Sequence, residues 1–195
     1  MAKIKVVTID RTYSAGGSAI GKLAAEKLGV KCFDRQIVEM AAEVSGIKLE
    51  DIRKYEEALI SPLKAPIGLL AKDYPRRIFA AETSVILDIV ENEGSCVIVG
   101  RCANFILKNK VRTLDVFIDA DYEKRQSVAM HEHKIRYDDV EGVLKRYDKK
   151  RADYYNANTT KKWGAQLTYD IMLNSGALGY DMCAEIIARA VRASV

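Results

Sequence analysis

Ile4-Lys5-Val6-Val7-Thr8-Ile9-Asp10 leads directly into Arg11-Thr12-Tyr13-Ser14-Ala15-Gly16-Gly17-Ser18, and that into Ala19-Ile20-Gly21-Lys22-Leu23-Ala24. The first run is apolar and β-branched at Ile4, Val6, Val7 and Ile9, which predicts a buried strand. A small-residue loop holding Gly16-Gly17 follows. A helical pattern then begins, with Ile20, Leu23, Ala24 and Leu28 on one face at spacings of three and four. In a strand–glycine turn–helix context, backbone N–H groups and the positive end of the helix dipole gather an anion without a charged side chain.

Against the phosphate-loop pattern G-x-x-x-x-G-K-[ST], Gly16 falls on the second glycine and Ser18 on the hydroxyl that reaches magnesium. Arg11 stands where the first glycine belongs, and Gly17 where the lysine belongs. The phosphate-binding candidates are therefore Ser14, Ala15, Gly16, Gly17 and Ser18, with Ser18 the candidate metal ligand. A plain strand-to-helix turn explains a glycine pair equally well. This segment alone leaves both readings open.

Length and composition narrow the choice. With 195 residues, 49% of them hydrophobic and 30% charged, the chain suits one globular domain over residues 1–195. Its 31 basic against 27 acidic residues give a net charge of +4, compatible with anionic ligands but too small to argue nucleic-acid binding. Cys32, Cys96, Cys102 and Cys183 form no C-x-x-C pair, and the apolar surroundings of Cys32 and Cys96 predict reduced, buried thiols rather than disulfides or zinc. No stretch reads as a signal peptide or a membrane span, so the expectation is a cytoplasmic protein without a membrane partner.

Further along, Val30–Phe33 reads as a short strand with Asp34-Arg35 at its carboxyl end, where ligands collect in open α/β sheets. Asp34 also suits the N-cap of a helix from Gln36 to Val44. From Gly46 to Pro75 the pattern loosens, with Pro62, Pro66, Pro75 and Gly68, and a polar helix near Glu50–Glu57. We read residues 46–75 as a mobile insertion over one end of the sheet. Arg76–Asn92 is again helical, and Cys96–Val99 is a continuous apolar strand closed by Gly100-Arg101. A helix follows from about Ala103 to Lys108, then a strand Leu114–Ile118. Asp121 suits the cap of a charged helix through about Lys134. Asp138–Tyr155 is a basic helix with Tyr147, Tyr154 and Tyr155 interleaved, a pattern usual for a solvated surface. A strand Tyr169–Leu173 and a helix from about Gly179 to Ala193 end the chain. Five strands alternating with helices predict a parallel sheet with helices on both faces.

These residues resemble the cytidylate kinase-like family, a branch of the P-loop nucleoside monophosphate kinases. The resemblance rests on Arg11-x-Tyr13-x-x-Gly16-Gly17, Phe33-Asp34-Arg35, and Cys96-Val97-Ile98-Val99-Gly100-Arg101 followed by Asn104-Phe105-Ile106-Leu107. Near the C-terminus it adds Asp148-Lys149-Lys150-Arg151-Ala152-x-Tyr154-Tyr155, Lys161-Lys162-Trp163-Gly164, Tyr169-Asp170 and Asn174-Ser175, so it covers nearly the whole length. It implies a P-loop kinase-like three-layer α/β/α fold with a five-stranded parallel sheet. It also implies phosphate transfer from ATP, with Mg2+, to a nucleoside monophosphate such as CMP. The family's loop reads S-R-E-Y-G-S-G-G, so Gly17 belongs to it. This chain departs at Asp10, Thr12, Ser14 and Ala15, and the loss of a glycine at Ser14 removes conformational freedom from the loop.

By family position Asp34, Arg35 and Arg101 face the acceptor monophosphate, Arg101 forking to its phosphate. Without a loop lysine, the transferring group needs cations from elsewhere. The candidates are Arg11, beside the loop, and Lys150 and Arg151, from a lid-like basic segment at about 138–163. Lys22, more than a turn up the first helix, is a weaker one. The usual acid at the end of the third strand is absent, since Val99-Gly100-Arg101 stands there. Two other readings compete: a nucleotide-sensing regulatory protein without catalysis, and an RNA-binding surface over Lys145–Trp163. A lid explains the basic segment more economically. The sequence leaves the oligomeric state open.

Overall fold

A computed structural model describes residues 3–60 and 73–194. Its elements in chain order are β1 (Val6–Arg11), α1 (Gly17–Leu28), β2 (Lys31–Phe33), α2 (Gln36–Ser45) and α3 (Leu49–Ile60). After residues 61–72 come α4 (Tyr74–Glu93), β3 (Cys96–Val99), α5 (Ala103–Ile106), β4 (Thr113–Asp119), α6 (Tyr122–His131) and α7 (Tyr137–Asn158). A 3-10 turn at Gln166–Thr168 leads to β5 (Ile171–Asn174), α8 (Ser175–Leu178) and α9 (Tyr180–Ala193). The five strands form one sheet in the order β2-β3-β1-β4-β5. Every neighbouring pair is parallel, with Ile9 opposite Val99 on one side and Val116 on the other. The sequence expected this class, and the architecture is the three-layer α/β one.

The alternation of β1 divides the core. Val7 and Ile9 pack with Ile20 and Ala24 of α1 and Ala184 and Ile187 of α9. Val6 faces the other way, with Ile98, Ile37 of α2, Ile86 of α4, Leu107 and Tyr155 of α7. Each fully buried isoleucine is worth about 1.5–3 kcal/mol over exposure. The central strand is thus covered on both faces, and its carboxyl end delivers the loop at the point where strand order reverses, the usual place for ligands in such sheets.

Within the stretch read as an insertion, Ile47, Ile52 and Tyr55 pack with Val38, Ala42 and Ile78 in a separate small core. Pro75 starts α4, where a missing N–H costs nothing, while Pro62, Pro66 and Gly68 lie outside the described residues. Asp34 does not cap α2; Arg35 occupies that position without a side-chain cap, and the Asp34 carboxylate turns toward Arg11. Nor is α7 a solvated surface helix, because Val140, Val143, Leu144 and Tyr155 are buried along it. Asp121 stands at the start of α6 without capping it, and instead accepts a bond from Asn174 Nδ2 at 3.1 Å.

Polar residues also enter the sheet. Thr8 donates to Asp115 Oδ1 at 2.7 Å, Tyr169 donates to Asp10 Oδ2 at 3.0 Å, and Asn104 Nδ2 donates to Tyr155 at 3.0 Å. Burial raises the Asp115 carboxyl above its ordinary value, with the Thr8 bond opposing. An acid so raised contributes stability in its protonated form, fully present below its unfolded value and lost as pH rises through the folded one. Asp115→Asn keeps an oxygen for Thr8 and removes the buried charge. It should raise the urea midpoint at pH 7, and that advantage should vanish near pH 3 in parallel unfolding curves.

Candidate functional site

The loop after β1 turns on two left-handed residues, Ser14 with φ 64° and Gly16 with φ 79°. Ser14 holds this conformation although it is not glycine, which is uncommon and costly for such a residue. Gly16 is the N-cap of α1 and no side chain caps the helix. The first-turn amides, Gly17 to Ala19, lie ahead of the intrahelical ladder, whose first bond runs from Ile20 N–H to the Gly16 carbonyl at 2.9 Å. Ser175 holds the loop from behind, donating to the Ala15 carbonyl at 2.7 Å.

The absence of lysine at position 17 has a steric reason. A Cβ there would lie 2.6 Å from Arg11 Cγ and 2.7 Å from Arg11 Cβ, so the Arg11 chain already fills the space. The same side chain continues past Gly100, where a Cβ would lie 2.3 Å from Arg11 Nη1. It ends beside Asp34, Nη2 to Oδ1 3.6 Å. Gly17 and Gly100 are the walls of a slot, and Arg11 runs through it.

Beside the slot opens a cavity of about 610 Å³. Of the sequence candidates, Arg11, Ser18, Asp34, Arg35 and Arg101 line it, as do Lys150 and Arg151 from α7. Ser14, Ala15, Gly16 and Gly17 do not. Arg151 donates from Nη1 to the Arg11 carbonyl at 2.8 Å and lies over the Tyr13 ring at 5.5 Å. It makes no surface pair with Asp153, which holds the exposed Lys149 instead. Lys22 is exposed and lines no part of the cavity.

Two other residues support the cations, and sequence reasoning missed both. Glu82 of α4 is 0% exposed, accepts from Arg101 Nη1 at 2.9 Å, and takes the Tyr154 hydroxyl as well. A buried glutamate inside an apolar helical face was its only signal. Asp148 accepts the Tyr13 N–H at 2.7 Å and pairs with Arg125, whose Nε donates to the Tyr13 carbonyl at 2.8 Å. Tyr147 stacks on Tyr13 with centroids 4.2 Å apart, so α6 and α7 clamp the loop from outside.

The electrostatics are strained toward an anion. Burial lowers the Arg11 guanidinium; Asp34 and Asp10 oppose, while Arg101 and Arg35 add to the lowering. Burial, and then the Arg11 charge, bring Arg151 down to about 9, still charged at neutral pH. Asp10 is raised by burial against the pull of Arg11, Tyr169 and Arg151. Guanidinium groups crowded in low dielectric repel one another, and a bound anion converts that repulsion into attraction.

The model of the cytidylate kinase-like family matches residues 6–177. The chain belongs to that family. It is similar to a cytidylate kinase of Archaeoglobus fulgidus, 26% identical over 95% of this chain and 93% of the relative. Among solved structures it resembles an uncharacterized protein from Eubacterium ventriosum, at 25% identity, TM-score 0.75, and coverage of 97% of this chain and 99% of the other. A shikimate kinase from Acinetobacter baumannii in complex with shikimate, 12% identical, aligns over 97% of this chain and 93% of its own with a TM-score of 0.55. That likeness shows a shared fold.

The crowded cations yield a binding prediction. Pyrophosphate at a hundred times its dissociation constant should raise the melting temperature by about 5–10 °C. Arg151→Ala should lose most of that increment at the same concentration. Scanning calorimetry checks both; no shift in the unaltered protein would contradict the site.

Proposed function

We propose that this protein transfers a phosphoryl group from ATP to a nucleoside monophosphate such as CMP, the donor phosphates held at Ser14–Ser18 and the acceptor in the basic cavity. The observation that carries this is the convergence of Arg11, Arg101 and Arg151 on one cavity beside a strand–loop–helix turn.

In this reading Arg101, held by Glu82, and Arg35 grip the acceptor's phosphate. One of that phosphate's oxygens attacks the terminal phosphorus of the donor, the bond to the bridging oxygen breaks, and the diphosphate leaves. The attacking oxygen is already ionised, so no general base is required; positioning and charge stabilisation do the work. Arg11 crosses Gly17 and takes over the absent lysine's task, while Lys150 and Arg151 approach from α7. Arg151 can fork to two phosphate oxygens with a permanent charge.

Magnesium fits what the cavity offers. Ser18 and Asp10 both line it with oxygen donors. Mg2+ prefers that sparse arrangement, taking one or two protein oxygens and completing its shell with phosphates and water. Ser18 would hold it, with Asp10 near, and it would neutralise charge on the donor phosphates. Among the described residues no helix is long and apolar enough to cross a membrane. The four free cysteines support a reducing compartment, and we take it to be the cytoplasm.

One feature favours a second reading, a nucleotide-sensing protein without turnover: β3 ends in Gly100-Arg101, with no acid. A screen of labelled ATP and Mg2+ against nucleoside monophosphates separates the two. Transfer to CMP or a relative is expected. Arg151→Ala should then cost about a hundredfold or more in turnover, as removal of a transition-state charge contact does. If no pair gives labelled product, the kinase reading falls and the sensing one replaces it.

A further inference from the structure

The cavity reaches Ser18 but is not lined by Ala15, Gly16 or Gly17. Arg11 covers Gly17. What covers Gly16 is Tyr180, the first residue of α9. A Cβ built on Gly16 would lie 2.3 Å from Tyr180 Cζ, 2.4 Å from Cε1 and 2.6 Å from the hydroxyl oxygen. The tip of the phenol therefore rests against the Cα of the helix N-cap, beside the first-turn amides that a phosphate would use.

This contact brings no hydrogen bond. The Tyr180 hydroxyl is buried without a partner, and so is the hydroxyl of Ser14, a residue only 7% exposed. Two unpartnered hydroxyls flanking an uncapped helix start are expensive in a folded protein. Oxygens of a polyphosphate entering the loop would satisfy Ser14 and the amides together, but only once the phenol has left. Tyr180 is placed to leave. The ring is only partly buried and has Lys124 Nζ 5.7 Å from its centroid. The backbone around it need not follow, since Asn174 caps α8 and Ser175 is tied to Ala15.

We propose that Tyr180 is a stopper in the phosphate loop, its phenol occupying the seat of a donor phosphate and swinging aside by rotation of its own side chain when a nucleoside triphosphate enters. The inference rests on the loop being a phosphate site, and deepens that reading by making the site closed until ligand opens it. The apparent affinity of a site is reduced by the fraction of molecules that hold it open.

Titration calorimetry with a non-hydrolysable ATP analogue and Mg2+ tests this on the unaltered chain, Tyr180→Ala and Tyr180→Phe, each checked for an intact melting transition. If the stopper is seated in nine of ten molecules, Tyr180→Ala binds about tenfold tighter. Tyr180→Phe, which keeps the ring and removes only the unpartnered hydroxyl, binds no tighter than the unaltered chain. Equal or weaker binding by Tyr180→Ala overturns the proposal and leaves the phosphate-loop reading standing. If no folded variant binds the analogue or pyrophosphate, the loop reading falls and the stopper with it. A second measurement needs no core substitution. In a chain labelled with 3-fluorotyrosine, the Tyr180 resonance, assigned by its loss in Tyr180→Phe, should shift when the analogue saturates the protein. An unmoved resonance at saturation also overturns the proposal.

Discussion

One long side chain needs room to cross the loop, and much of the site follows from that need. Arg11 leaves the end of β1, passes over Gly17, skims Gly100 and ends at Asp34. A side chain at position 17 would collide with its stem, and one at position 100 would displace its guanidinium end. The glycine that looks like a lost lysine is therefore the space in which a different cation lies. Lysine from the loop and arginine from the preceding strand are alternatives that exclude each other sterically. An arginine brings a planar fork and a charge that burial scarcely removes.

The second organising contact is the clamp of α6 and α7 on Tyr13. The loop's backbone is held at Tyr13 by Asp148 and Arg125, at Arg11 by Arg151, and at Ala15 by Ser175. Each bond satisfies a main-chain group that a glycine-containing turn leaves unpaired. They also fix the direction in which Arg151 enters the cavity. That placement depends on α7 being packed against the body through Val140, Leu144 and Tyr155 rather than lying in solvent.

Charge burial runs along the same face of the sheet. Asp10, Arg11, Glu82, Arg101 and Arg151 are ionisable groups withdrawn from water, and most find their compensation in each other. Such networks add little net stability, since desolvation offsets attraction. Their value here is geometric: Glu82 is tied to one nitrogen of Arg101 and to Tyr154, which sets where the rest of that guanidinium lies. The Arg11 charge still lowers the Arg151 guanidinium, with Asp148 and Asp10 opposing. The polar interior makes sense as a prepared surface for phosphate.

The chain's own residues determined much before any folding was considered. Period-two and continuous apolar runs marked the strands, because a strand buried on both faces must be apolar throughout. Gly16-Gly17 between a strand and an amphipathic helix marked the turn, because glycine allows the backbone to bend sharply into a helix start. Asp34, Arg35 and Arg101 were candidates by family position, Lys150 and Arg151 as cations of the basic helix, and all five line one cavity. What the sequence left undecided depends on contacts between distant segments. Arg151 meets Arg11 across 140 positions and Ser175 meets Ala15 across 160. No local spacing encodes that Arg11 fills the place beside Gly17, that Glu82 holds Arg101, or that Tyr180 lies on Gly16. Local pattern sets which element forms and which face is apolar; only packing sets which side chain reaches a given ångström of space, and that decided where the cations and the phenol stand.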